Sequence, residues 1–285
     1  MPRSRPLLAL VLCVLPSLAT SIAVAADVSF PKLEDNIPGH TDVTYLDLAK
    51  LIVPDLAKVA DGYQGHAVVD VRHIDGPDSR EEPPETIVNP SLASVPIRVG
   101  GRDRLLVLVD LGGSEDAVAD FAVLALYDLS AKPHLLDAAD IGYDRDTYFR
   151  DPALLAVTEG SDAILTMSTH FNSSQGYVTT ALILPRNDRL ELIDTVLTFD
   201  EKACAFERAQ ASVFRVLAAS PDHFAPIEAT VTETTTPGEQ DCGSEVPEAA
   251  TRRITVTYRW DDAASRYVPD SDAFDRLAAE DEKRF

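Results

Sequence analysis

The sequence predicts a mostly β protein, an antiparallel meander that forms a two-layer sandwich or a partial propeller, with a short N-terminal helix and a C-terminal helix. Short apolar segments with the spacing of strands recur through most of the chain. No helical pattern of about 10–15 residues separates them, which disfavours parallel βαβ units. The composition, with 45% hydrophobic and 25% charged residues, is that of a globular protein.

The first 26 residues have the three parts of a secretory signal peptide. Arg3 and Arg5 give a positively charged start, and residues 7–15 are almost wholly apolar. Residues 23–26 supply the small side chains of a cleavage site. The apolar run is shorter than the roughly 20 residues that span a bilayer. We therefore expect an exported mature chain without a membrane span, in the periplasm or the extracellular space. The preference for Arg over Lys favours a bacterial source and hence the periplasm.

After the signal, residues 27–42 are expected to form an extended lead-in, and residues 43–285 a single mostly β domain. The remaining chain is long enough for one large domain. Residues 75–90 are rich in proline and in charged side chains, which predicts a loop. This loop is not a domain boundary, because the apolar segments before it are too few to form a core alone.

Two helices are predicted near the ends of this domain. Residues 43–53 carry apolar side chains at helical spacing, and Thr41 or Asp42 can cap the helix N-terminus. Near the C-terminus, Asp270 or Ser271 can cap a second helix.

Strands are predicted between the two helices. Their predicted bounds are 66–74, 95–99, 104–110, 120–128, 134–137, 162–169, 177–184, 190–199, 212–218, 227–234 and 253–260. The clearest hairpin joins 177–184 to 190–199 through residues 185–189. In the last strand, Val256 and Tyr258 should face the core, while Thr257 faces water.

Cys204 and Cys242 are the two cysteines that remain once the signal is removed. An even number of cysteines in an oxidising compartment predicts a disulfide. Chain-entropy arguments give such a bond about 3–4 kcal/mol of stabilisation. The alternative is a redox or nucleophilic thiol, but the sequence lacks the Cys-x-x-Cys spacing typical of that chemistry.

The charge of the chain restricts its partners. It contains 25 Lys and Arg against 47 Asp and Glu, a formal net charge of −22. Such a chain repels nucleic acid, which attracts proteins through Lys and Arg, and it repels anionic membrane surfaces. Cations, basic partners and neutral ligands remain compatible. The simplest interpretation is that the charge keeps an exported protein in solution.

Residues 168–177 are the strongest candidate binding site. None of them is formally charged, and they directly follow one predicted strand and precede another. His170, Asn172, Gln175 and Tyr177 offer amide, imidazole and aromatic groups that suit a neutral polar ligand such as a saccharide. The alternative is that these residues satisfy the geometry of a hairpin turn.

A second candidate site is an acidic segment that includes Asp140, Asp144 and Asp146. Calcium binds carboxylate and carbonyl oxygens, and extracellular calcium sites are common, so the segment is a candidate calcium site. The spacing does not match an EF-hand loop. Arg145 and Arg150 are an alternative source of neutralising charge.

The sequence contains no Gly-x-Ser-x-Gly or His-Glu-x-x-His motif. We therefore expect an exported, soluble, non-catalytic protein that binds a neutral polar ligand or a protein partner through residues 168–177. The alternative is a secreted hydrolase that uses carboxylates, with or without calcium. A third hypothesis is an assembly factor, which an exposed apolar patch at Tyr45, Leu48 and Leu51 would indicate.

Overall fold

The structure is a computed structural model that describes residues 27–79, 82–113, 119–217, 223–239, 242–243 and 245–284. The predicted signal peptide at 1–26 lies outside the described residues. Within them the chain is mostly β, with antiparallel sheets and two α-helices, one of them C-terminal. This confirms the predicted fold class.

The bounds of the helices and strands are α1 Tyr45–Ala49, β1 Ala57–Val59, β2 Gly62–Gly65, β3 Arg72–His73, β4 Ile87–Val88, β5 Ser91–Val99, β6 Arg102–Asp110, β7 Ala122–Asp128, β8 His134–Asp140, β9 Tyr148–Thr158, β10 Ser161–Phe171, β11 Gln175–Arg186, β12 Arg189–Lys202, β13 Phe206–Val216, β14 Ile227–Pro237, β15 Ala250–Asp261, β16 Arg266–Pro269 and α2 Ala273–Asp281. Short 3₁₀ turns occupy Pro77–Ser79 and Glu282–Arg284.

The central layer is a five-stranded sheet in the order β3-β8-β7-β6-β5. Its strands pair antiparallel, except that β3 runs parallel to β8. Both faces of the sheet are covered. Leu105 and Val107 belong to one core, and Leu106 and Leu108 belong to the core on the other face. This explains why β6 is apolar at successive positions rather than alternating.

The second sheet is an eight-stranded antiparallel meander that runs from β9 to β16 in sequence order. One face of β9–β12 packs against the five-stranded sheet, and Ile164 and Val95 belong to this shared core. The other face of β9–β12 packs against β13–β16 and α2, in a core that includes Leu165 and Tyr258. The meander folds back on itself because β12 and β13 pair only next to their connecting turn and then separate.

Residues 33–71 cover one face of the five-stranded sheet, whereas Val28 packs against the core on its other face. β1, β2 and β4 form a small three-stranded sheet. β1 and β2 lie within this region, and β4 follows it in the sequence. α1 buries Leu48, whose backbone oxygen accepts a hydrogen bond from the Tyr127 hydroxyl at 3.0 Å. The lead-in is docked, since Ser29 and Ser94 of β5 exchange two backbone hydrogen bonds.

The predicted strand at 66–74 is wrong over most of its length. β2 ends before it, and only two of its residues form β3. The Asp55 carboxylate accepts the backbone amides of His66 and Ala67 at distances of about 3.0 Å. A side chain therefore takes the hydrogen bonds that a neighbouring strand would have taken.

The predicted caps of both helices are also wrong. α1 is capped by Thr44, which forms a reciprocal capping box with Asp47. The residue before α2 is Asp272, whose side chain makes no capping hydrogen bond. Asp270, one of the predicted caps, instead accepts the backbone amide of Thr257 at 3.0 Å. Thr257 itself is buried, whereas the alternating pattern predicted that it faces water.

The apolar patch of the assembly-factor hypothesis does not form. Tyr45 and Leu48 are buried, and only Leu51 of the three is exposed, at 40%. The Tyr45 hydroxyl lies 2.9 Å from the Ser94 hydroxyl, which anchors α1 to β5. The residues that looked like a surface stripe thus hold the N-terminal layer on the sheet.

Cys204 and Cys242 form the predicted disulfide, with a Cα–Cα distance of 5.6 Å and a sequence separation of 38. The bond ties the segment after β14 to the turn between β12 and β13. Among the described residues, no helix is long and apolar enough to cross a membrane.

Candidate functional site

The uncharged stretch 168–177 forms the tip of the hairpin between β10 and β11. Asn172 Oδ1 accepts the backbone amides of Ser174 and Gln175, each at 2.9 Å. These are the bonds of an Asx turn. The Asn172 side chain therefore stabilises the turn, which is the alternative role predicted for residues 168–177.

His170 and Tyr177 lie opposite each other where the hairpin strands pair. Their ring centroids are 5.9 Å apart, and the Tyr177 ring lies 5.1 Å from that of Phe199. The Tyr177 hydroxyl donates to Gln175 Oε1 at 2.9 Å, and Asn172 Nδ2 donates to the same oxygen at 3.3 Å. The structure thus gathers the four predicted site residues, but three of them bond to one another.

The acidic segment packs directly against this hairpin. His170 Nδ1 lies 3.4 Å from Asp144 Oδ1. The backbone amide of Thr169 donates to the backbone oxygen of Arg145 at 2.8 Å. The two candidate sites, which the sequence shows as separate stretches, are therefore neighbours in space.

The carboxylates of Asp140 and Asp144 have local hydrogen-bond partners. Asp140 is buried, and its Oδ1 accepts the backbone amides of Ala122 at 3.2 Å and Gly142 at 3.0 Å. Asp144 Oδ1 accepts the amide of Arg145 at 2.8 Å. In the part of the chain that the structure describes, no group of three or more His, Cys, Asp or Glu side chains is placed to hold a metal ion. The calcium site stays a prediction that this geometry does not support.

Asp146 has a left-handed backbone conformation, with φ of 47°. Its amide donates to Asp120 Oδ2 at 3.4 Å. A Cβ atom on Gly142 would lie only 1.9 Å from the backbone oxygen of Asp120. Glycine is needed there because the acidic segment approaches Asp120 so closely.

A groove of about 430 Å³ lies between the lead-in, β5, β6 and the start of β9. Phe30, Tyr63 and Tyr148 line it, and we call it the aromatic groove. Phe30 is 77% exposed and Tyr148 is 39% exposed, whereas Tyr63 is buried. The buried residues Leu92 and Leu108, which belong to the cores on opposite faces of the five-stranded sheet, also line it.

Each ring of the aromatic groove is held by a different segment. Phe30 follows the backbone bridge that joins the lead-in to Ser94. The backbone of Tyr63 is held by Asn89. Asn89 Oδ1 accepts the Tyr63 backbone amide at 2.7 Å, and the Asn89 backbone amide donates to the Tyr63 carbonyl at 2.9 Å. Tyr148 is the first residue of β9.

Asp110 supplies a carboxylate to the aromatic groove. It is partly buried at the end of β6, and its Oδ1 accepts the amide of Gly112 at 2.9 Å. Burial raises the pKa of Asp110, the Gly112 hydrogen bond opposes this, and the charges of Asp120 and Asp146 raise the pKa further. Within the described residues, the charges that act noticeably on Asp110 are thus both negative.

The aromatic groove adjoins the hairpin through Thr147. This residue lines the groove, and its Oγ1 lies 2.8 Å from the buried Ser168 hydroxyl. Sequence reasoning missed the groove, because Phe30 lay in the presumed lead-in and Tyr148 in a strand that was not predicted. The available signal was that Phe30 and Tyr148 are aromatic residues outside every predicted helix and strand.

A second groove, of about 680 Å³, lies at the other end of β6. Its lining residues are Pro38, Pro96, Arg102, Asp103, Arg104, Leu105, Asp128, Leu129 and Ser130. It carries charges of both signs but no aromatic ring among these residues. The aromatic groove has the more specific chemistry for binding.

The geometry around His170 includes a carboxylate partner but no nucleophile. Among the described residues, no serine, threonine or cysteine side chain hydrogen-bonds to the His170 ring. The Ser168 hydroxyl is buried and bonded to Thr147. The alternative of a carboxylate-dependent hydrolase is supported only by the pairing of His170 with Asp144.

No protein-family model matches the chain, and comparison with curated proteins and with solved structures also finds no match. The protein is therefore described by its own fold and candidate site. It is a mostly β protein with one disulfide and an aromatic groove beside a hairpin.

Proposed function

We propose that the chain is an exported, non-catalytic binding protein that holds its ligand in the aromatic groove. The observation that carries the proposal is the pair of exposed rings, Phe30 and Tyr148, on one concave surface. Ligand sites are typically clefts of about 300–1,000 Å³ with apolar and aromatic walls and a few polar groups. The volume and lining of this groove lie within that description.

The ligand is a compact polar molecule, or a segment of a protein partner, that presents an apolar face to the rings. The Asp110 carboxylate supplies a polar contact. A polar ligand or a protein partner is also what residues 168–177 predicted, but the contact moves from the hairpin tip to the adjoining groove. The hydrogen bonds among Asn172, Gln175 and Tyr177 support that move, since these groups already bond to one another.

Export of the chain is part of the same proposal. The signal-like pattern at 1–26 supports it, and so does the disulfide, because disulfides persist in oxidising compartments.

The test is to titrate the ¹⁵N-labelled mature chain with two neutral probes, cellobiose and N-acetyl-tyrosinamide. We expect amide shifts at residues 29–34, 91–93 and 147–149. Phe30→Ala and Tyr148→Ala should each weaken binding about tenfold, equivalent to about 1.4 kcal/mol of lost ring contact.

Phe171→Ala is the matched control, because Phe171 is 63% exposed at the hairpin and does not line the aromatic groove. It should leave both affinities unchanged. The opposite pattern, with shifts confined to residues 170–177 and sensitivity only to Phe171→Ala, would overturn the groove proposal. It would favour the predicted contact through His170 and its neighbours.

A further inference from the structure

We infer that the ligand of the aromatic groove carries an organic ammonium group, which binds between the aromatic rings and the Asp110 carboxylate. The inference rests on the proposed function and adds the chemical class of the ligand. Three features of the groove support it, which are its charge, its aromatic walls and the small number of carboxylates among its described lining residues.

The first feature is charge. Asp110 lies in the groove with Asp120 and Asp146 close enough to act on its carboxylate. At the rim, Lys32 and Glu34 line the groove with one charge of each sign, and both are exposed to solvent. Neither Lys32 nor Glu34 is among the charges that act noticeably on the Asp110 carboxylate, and the whole chain carries a formal charge of −22. A cationic ligand is complementary to this field.

The second feature is the aromatic walls. The faces of Phe and Tyr rings attract organic cations, by about 0.5–2 kcal/mol for each ring. The protein shows the same chemistry at the edge of the groove, where Lys58 Nζ lies 5.9 Å from the Tyr63 ring centroid and 3.6 Å from Glu34 Oε1. Phe30 and Tyr148 offer exposed rings to a cation from outside.

The third feature favours an ammonium group over a metal ion as the bound cation. Calcium requires about 6–8 oxygen ligands, and aromatic walls provide none. Among the described residues that line the groove, the carboxylates are Asp110 and Glu34; one Asp110 oxygen already accepts the Gly112 amide, and Glu34 pairs with Lys58. So few carboxylates beside aromatic rings suit a bulky, weakly hydrated cation better than a hard metal ion.

The experiment compares choline with 3,3-dimethylbutan-1-ol, its uncharged isostere, by calorimetry and by amide shifts of the mature chain. Choline should bind in the groove at least tenfold more tightly than the isostere. Asp110→Asn should abolish that difference, because the amide keeps an acceptor for Gly112 but removes the charge. Tyr148→Leu should weaken choline more than the isostere, since leucine keeps apolar area but loses the ring face.

Asp103→Asn is the matched control, because Asp103 is exposed at the opposite end of β6. It should leave the preference for choline intact. The inference is overturned if the isostere binds as tightly as choline, or if Asp110→Asn leaves the preference for choline unchanged. If the isostere or cellobiose binds in the groove and choline does not, the proposed function stands and the ammonium inference fails. If no probe shifts the groove amides, both fail.

Discussion

At the scale of single residues, Asp110 is a carboxylate of the aromatic groove whose position costs stability. Its burial and the nearby charges of Asp120 and Asp146 outweigh the Gly112 hydrogen bond, so its pKa is raised in the folded protein. A raised pKa means that folding disfavours the charged carboxylate. Residues that cost stability are common at binding sites, where they are retained for function.

Asp110→Asn should therefore stabilise the free protein at pH 7. The penalty for the charged carboxylate is fully present at neutral pH and disappears as the pH falls through the raised pKa towards 3.8, the ordinary value. Because Asp110 is partly exposed, solvent screening keeps the effect small, an increase of about 2 °C in the unfolding midpoint. Thermal unfolding of both proteins between pH 3 and 8 measures it.

Asp128→Asn should lower the unfolding midpoint at pH 7 and serves as the control. The Ser130 amide, which donates to Asp128 at 2.8 Å, is the main cause that lowers the pKa of Asp128. Its charge therefore supports folding at pH 7, and this support is lost as the pH falls. A lower midpoint for Asp110→Asn at pH 7 would contradict the account of Asp110.

At the scale of secondary-structure elements, the local sequence pattern predicted most strands. It was misleading where a proline interrupts a strand or where a distant side chain takes the backbone hydrogen bonds. The hairpin of β11 and β12 was predictable because two apolar segments flank a polar turn in one continuous stretch of sequence. β9 was missed because Pro152 interrupts its pattern. A proline is tolerated there because β9 is an edge strand, which needs fewer backbone donors. The strand predicted at 66–74 does not form over most of its length because the Asp55 carboxylate accepts the backbone amides of His66 and Ala67.

The docking of α2 depends on one side chain that no local pattern identifies. Gln210 Oε1 accepts the backbone amide of Phe199 at 3.0 Å where β12 and β13 separate. Gln210 Nε2 donates to Glu233 at 2.8 Å and to the buried Asp281 of α2 at 3.0 Å. Gln210 thus joins three strands to the C-terminal helix.

Gln210→Leu should destabilise the protein by about 2–3 kcal/mol. The change keeps the side-chain volume similar but leaves the buried Phe199 amide without its acceptor. It also removes one hydrogen-bond donor from Glu233 and Asp281, which keep Arg284 as a partner. Urea unfolding followed by circular dichroism measures the difference. Arg276→Ala is the control, since it removes only the exposed pair with Asp272 on the same helix and should cost less than about 0.5 kcal/mol. Similar effects of the two changes would contradict the role of Gln210.

At the scale of the whole molecule, the aromatic groove exists only because distant segments meet. Phe30 comes from the lead-in, Tyr63 from β2, Asp110 from β6 and Tyr148 from β9. The residues at 168–177 could be predicted as a unit because they are contiguous. The groove could not, because its position depends on how the lead-in and two sheets pack, and side-chain periodicity does not report that packing.

The two sheets that frame the groove are tied together at their far end by Asp137. This residue of β8 belongs to the five-stranded sheet, and its Oδ2 accepts hydrogen bonds from Arg72 Nη2 and from the backbone amide of Leu190, each at 2.7 Å. Arg72 Nη2 also donates to the Leu190 carbonyl at 2.8 Å. Leu190 lies in β12, so this cluster joins the five-stranded sheet to the meander.

Asp137→Ala should cost about 2–3 kcal/mol, because it leaves the buried Leu190 amide unpaired and Arg72 without its carboxylate. Arg72→Met should cost less, since Asp137 would still accept the Leu190 amide. Asp103→Ala, at an exposed position of β6, is the control and should change the free energy of unfolding by under about 0.5 kcal/mol. Urea unfolding of the three variants gives the order. If Arg72→Met costs as much as Asp137→Ala, the ion pair rather than the backbone hydrogen bond holds the sheets together.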